Sequence, residues 1–116
     1  MEYLLDDLLH LIVSERAQAL HLVGGRPPVL ELREVLTSIE GPNLAVEDTE
    51  VYLEQIAPDG ALAEFSRTDL VSFDHAFARF GMSFFVMAFR ENDRVRLEFR
   101  RSNYAKDDEF TEETQA

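Results

Sequence analysis

Apolar residues recur at helical spacing through the first segment of the chain. Leu5, Leu8, Leu9 and Ile12 share one face, while Asp6, Asp7, Glu15 and Arg16 fall largely elsewhere. This pattern predicts an amphipathic helix over 4–17, with Leu4, Leu11 and Val13 widening its apolar surface. Ala19–Val23 is short and apolar and is closed by Gly24-Gly25, which predicts a strand. Arg26-Pro27-Pro28 then imposes an extended or turning link, because a residue before proline is pushed away from helix. From Val29 to Leu36, Leu30, Leu32 and Leu36 alternate with Glu31, Arg33 and Glu34, predicting a second strand.

Glu40-Gly41-Pro42-Asn43 has the residues of a loop. Val46 to Ala57 reads as a helix led by Glu47, Asp48 and Glu50, acids that suit a positive N-terminal dipole. Pro58 breaks it, and Asp59 is expected to cap a second short helix through Gly60, Ala61, Leu62 and Phe65. Three strands are predicted beyond it. Leu70–Phe77 places Val71, Phe73, His75 and Phe77 on one face; Met82–Phe89 is apolar on both faces; Arg94–Arg100 alternates Val95, Leu97 and Phe99 with charge. Turns at Arg79–Gly81 and Glu91–Asp93 make these an antiparallel meander. The order α-β-β-α-α-β-β-β describes an α+β domain with helices packed on an antiparallel sheet, spanning 1–101. Residues 102–116 are acidic and polar and are expected to form a flexible tail.

The chain has 116 residues, the size of one domain, and no cysteine. Disulfides, thiolate metal sites and cysteine nucleophiles are thereby excluded. No apolar run approaches the roughly 20 residues of a membrane helix. Acids Glu2, Asp6 and Asp7 stand where a signal peptide carries basic residues, so the expected location is cytoplasmic, without membrane insertion. The formal net charge is −12. Such a chain repels nucleic acid as a whole, and none is expected as a partner. The cations are unevenly spread: Arg90 to Arg101 holds five Arg and three acids.

Candidate chemistry is sparse. Gly24-Gly25 is followed by Arg-Pro-Pro, so it is no phosphate-binding loop, and the sequence gives no basis for ATP hydrolysis. His10, His21 and His75 fall on three different elements. A metal set of His21, His75 and Asp74 competes with three separately hydrogen-bonded rings, and the rings are the expectation. Asp6-Asp7 and Asp107-Asp108 read as solvated charges, and the serines lack a nucleophile motif. No catalytic residue, metal or cofactor is expected.

Two stretches do point to a family. Ala19-Leu20-His21-Leu22-Val23-Gly24-Gly25-Arg26-Pro27-Pro28-Val29 resembles an Asp-Leu-His-Leu…Gly…Pro-Pro motif. Asp69-Leu70-Val71-Ser72-Phe73 followed by Phe84-Phe85-Val86-Met87-Ala88-Phe89-Arg90 resembles an acidic-aromatic strand and an Arg-Phe-Arg-Val-Asn-Ala-Phe strand. Together, over residues 3 to about 101, they are similar to the N-terminal domain of PilT-type secretion ATPases, the retraction motors of type IV pili. The resemblance implies a PAS-like α+β fold and marks His21, Gly24, Gly25, Pro27 and Pro28 as structural.

The departures bear on function. The family aspartate before the histidine is Ala19, and a Val-Asp-Gly turn becomes Leu32-Arg33-Glu34, so the hairpin loses a glycine and is expected to turn differently. The family's two strand arginines, which help contact nucleotide held by a neighbouring ATPase core, fall at Ser83 and Phe85, and its asparagine at Met87. Arg90 and Arg94 lie close to that turn. What the resemblance implies is a stand-alone, non-catalytic module that engages a protein partner: a pilus or secretion ATPase subunit, or a second copy in a homodimer. The expected interface comprises Phe85, Met87, Phe89, Arg90 and Arg94. A PAS-like sensor of a small ligand and an inert remnant of a motor are the alternatives.

Overall fold

A computed structural model describes residues 3–78 and 81–101. Helix α1 (Leu5–Ser14) buries Leu5, Leu8, Leu9 and Ile12, the stripe predicted from their spacing. It stops short of residue 17 because Arg16 takes a left-handed φ of 57°. The amide of Ala17 then reaches back to the Ile12 carbonyl at 2.9 Å, closing a Schellman end. Strand β1 (Ala19–Val23) follows.

The segment read as one strand over Val29–Leu36 is a hairpin. β2 (Val29–Leu32) and β3 (Val35–Ser38) pair antiparallel across Arg33-Glu34. Both turn residues have positive φ, 51° and 69°, although neither is Gly, Asn or Asp. Helix α2 (Asp48–Ile56) starts two residues later than its apolar pattern, where Asp48 Oδ2 accepts the Ala45 amide at 2.9 Å. Asp59 does not cap α3 (Ala61–Thr68): Gly60 takes the N-cap position at φ 86°, with no side-chain cap bond. Strands β4 (Leu70–Phe77), β5 (Met82–Glu91) and β6 (Arg94–Arg101) form the expected meander. The α+β class and the element order hold, with the hairpin adding one strand.

The sheet order is β3-β2-β1-β6-β5-β4 with every pair antiparallel. The three described helices bury their apolar stripes with one face of it. Leu20, Leu22, Leu30, Val71, Phe84, Val86, Ala88, Leu97 and Phe99 join the helix residues in one core. The Tyr52 hydroxyl, on α2, donates to the Tyr3 carbonyl oxygen at 2.6 Å and ties the start of the chain down. Burial, then the Asp48 carboxylate and Tyr3, push the Tyr52 phenol up to about 12. The tail over 102–116 lies outside the described residues.

Candidate functional site

The opposite face of the sheet carries the alternate residues of each strand. Across β5, β6, β1 and β2 the register aligns Met87 with Glu98, His21 and Val29, and the next row aligns Phe85 with Arg100, Ala19 and Glu31. None of these side chains belongs to the core or packs against it. Even so, Ala19 is fully buried. Its cross-strand partners on either side, Glu31 and Arg100, join above it at 3.2 Å, so the methyl group lies beneath an ion pair.

Glu31 is the hub of a polar network. Its Oε1 also lies 3.3 Å from His21 Nε2, while Glu98 accepts from Arg100 Nε and stands 4.0 Å from His21 Nδ1. Burial alone would raise the Glu31 carboxyl, but the His21 hydrogen bond and the Arg100 charge hold it below its ordinary value. His21 is hydrogen-bonded, as expected. Its partner is Glu31 on β2. His75 lies on the core-side face of β4, opposite to His21 and Asp74, so the metal set weighed from the sequence does not converge. Among the described residues no group of three such side chains is placed to hold a metal ion.

The network divides the open face into two apolar areas. On β5, Phe85 is 40% exposed, and Met87 and Phe89 are partly buried beside it. Arg96 lies over the Phe89 ring at 5.7 Å. Arg90, grouped with these residues by sequence, points the other way. It sits over Phe65 of α3 at 5.0 Å and pairs with Asp69 at 3.3 Å and Glu50 at 3.8 Å. Arg94 is on the open side at the β5–β6 turn, where its Nη1 donates to the Gly24 carbonyl at 2.8 Å. Val23, Pro27, Val29 and Leu36 form the second apolar area, which sequence reading misses because half of it belongs to the unrecognised hairpin.

No family model and no curated protein matches the chain. Solved structures do. The pilus retraction motor PilT with bound ADP matches at TM-score 0.78 and 19% identity, over 85% of this chain and 29% of that one. The chain folds like one domain of PilT. The Legionella pneumophila ATPase DotB matches at TM-score 0.70 and 16% identity, over 84% of this chain and 28% of DotB. DotB of Yersinia pseudotuberculosis matches at 0.65 and 11%, over 84% and 29%. At these identities the likeness is one of fold, and it agrees with the resemblance to the N-terminal domain of PilT-type ATPases. The chain spans less than a third of the length of the ATPases it matches. Among the described residues no helix is long and apolar enough to cross a membrane.

Proposed function

We propose that the chain is a non-catalytic interaction module that docks on a pilus or secretion ATPase through the open face of its sheet. The observation that carries this reading is the apolar surface of Phe85, Met87 and Phe89, on a face against which none of the described helices packs. Fully burying a side chain of this kind is worth about 1.5–3 kcal/mol, and Phe85 has realised only part of it. The fold likeness to PilT and DotB supports an ATPase as the partner class. A heteromeric contact is favoured over a second copy, because two chains of −12 repel at close range.

The test is capture of purified PilT by the immobilised chain, with light scattering of the chain alone. The wild type should bind PilT and run as a monomer, and Phe85→Arg/Met87→Asn should weaken capture about tenfold or more while keeping its melting temperature. Absent capture, or equal capture by the double variant, overturns the reading.

A further inference from the structure

At one end of the open face, where β1 runs into Gly24 and β5 turns into β6, two depressions meet. One, of about 430 Å³, is lined by Arg26, Arg94 and Arg96 with Glu91 and Asn92. The other, of about 170 Å³, is floored by Pro27, Val29 and Leu36 beside His21. Val23, Arg26 and Arg96 line both, so a single groove crosses β3, β2, β1 and β6. At about 4.8 Å between strands it is about 14 Å long, the span of four or five extended residues.

The arginine end is under-neutralised. Arg94 spends one N–H on the Gly24 carbonyl, and Arg96 pairs with Glu91 at 3.2 Å. The Arg26 guanidinium has no hydrogen-bond or ion-pair partner among the described residues. Three guanidiniums therefore face one carboxylate in a chain whose net charge is −12. Guanidinium forks match carboxylates in geometry, and they stand next to an apolar floor.

We infer that this groove takes an extended acidic segment of a partner protein. Carboxylates of the segment meet Arg26 and Arg96, and an apolar side chain of the segment enters the hollow between Pro27, Val29 and Leu36. The inference rests on the reading that the open face is a docking surface, and it specifies the chemistry of the partner. An inorganic anion would leave the apolar floor unused, and a long nucleic acid would run from the groove onto a negatively charged surface.

The probe is a fluorescein-labelled octapeptide of alternating Glu and Leu, followed by anisotropy at low and physiological salt. Controls are the same peptide with Gln for Glu, the same with Ser for Leu, inorganic phosphate, and a single-stranded oligodeoxythymidylate. The Glu/Leu peptide should bind, more tightly at low salt, and each peptide control should bind about tenfold more weakly or worse. Arg26→Gln and Arg26→Glu should both weaken binding, the second by about tenfold or more, whereas Phe85→Arg/Met87→Asn should leave it unchanged. Failure of the Glu/Leu peptide to bind, equal binding of the Gln peptide, indifference to both Arg26 variants, or stronger competition by phosphate or the oligonucleotide than by unlabelled peptide overturns the inference. If PilT capture persists under any of those results, the groove assignment alone has failed; loss of capture strikes the docking reading itself.

Discussion

Arg94 Nη1 stands 2.8 Å from the carbonyl oxygen of Gly24, and it fixes the space beside the double glycine. A Cβ on Gly25, whose φ is 86°, would lie 2.6 Å from the same nitrogen. A Cβ on Gly24 would meet Val46 backbone, with the oxygen at 2.7 Å and Cα at 2.8 Å. The turn after β1 is thus pressed between the start of β6 and the approach to α2. That gives a packing reason for two glycines that form no phosphate loop.

Gly24→Ala should therefore cost about 2 kcal/mol, since backbone on the far side cannot swing away. Gly60→Ala provides the contrast. Gly60 has the same φ as Gly25, 86°, but open space around it, so only the left-handed backbone is strained, at about 1 kcal/mol. Urea denaturation of both variants measures the difference; a cheaper Gly24→Ala would contradict the crowding described.

Tyr52 makes the fold sensitive to alkali. Its phenol is raised from 10.0 to about 12, so the folded state holds a proton that the unfolded chain releases. The associated stability is fully present below pH 10 and is lost as pH rises toward about 12. Tyr52→Phe should lose about 1 kcal/mol at neutral pH with the Tyr3 hydrogen bond, yet show a shallower decline across that alkaline window. Thermal melts at stepped pH decide this.

Acid acts in two stages. Burial holds the His75 imidazole below its ordinary 6.5, with the Asp6 carboxylate pulling the other way, so stability falls as pH drops below 6.5. Glu31 is also held low, and its contribution is lost only as pH falls below 4.5. His75→Gln should remove part of the loss near pH 6 and leave the lower stage intact, whereas Glu31→Gln should flatten the lower stage. Identical acid profiles for wild type and both variants would refute the assignment.

Ala19 stands where the resemblance to PilT-type domains implies an aspartate. In this chain the carboxylate comes from the neighbouring strand as Glu31, which already holds His21 and Arg100. Ala19→Asp should force a second carboxylate under that ion pair and destabilise by about 2 kcal/mol. Combined with Glu31→Ala, the new acid takes the place of Glu31 beside Arg100 and His21, which Glu98 still contacts, and the double variant should recover about 1 kcal/mol relative to additivity. Additive costs in the cycle would mean that the introduced carboxylate and Glu31 do not compete.

The proposed non-catalytic role predicts no ATP turnover and no tight ATP complex. The Gly24-Gly25 turn is filled by Val46 and Arg94, and Ser83 and Phe85 stand where the resemblance to PilT-type domains implies arginines. A stoichiometric complex at about micromolar affinity in calorimetry would overturn that expectation.

The parts of the fold legible in the sequence are those where period and punctuation agree. α1, β1 and the β4–β6 meander follow from apolar spacing, and Asn92-Asp93 supplies turn residues that tolerate their φ of 53° and 65°. The β2–β3 hairpin is illegible because Arg33-Glu34 adopt positive φ with side chains that usually avoid it. Phe85, Met87 and Phe89 share one face, as a strand periodicity of two requires. Arg90 does not belong with them: its even position sends it to the helix side, where Phe65 and Asp69 receive it. The partners of His21 cannot be found from spacing at all, since Glu31 and Glu98 become its neighbours only once β1 pairs with both β2 and β6.

That double pairing of β1 has a kinetic consequence. β1 to β3 and β4 to β6 are each made of neighbours in sequence, so either half-sheet forms through short loops. Among the described strands only the β1–β6 register joins them, and Ala19 meeting Arg100 closes a loop of about eighty residues. The entropic toll of that closure falls on one strand pair, which makes zipping of β1 onto β6 the step expected to set the folding rate. Substitutions at the β1–β6 seam, such as Leu22→Ala or Leu97→Ala, would then slow folding, whereas equally buried changes in α3 would mainly hasten unfolding.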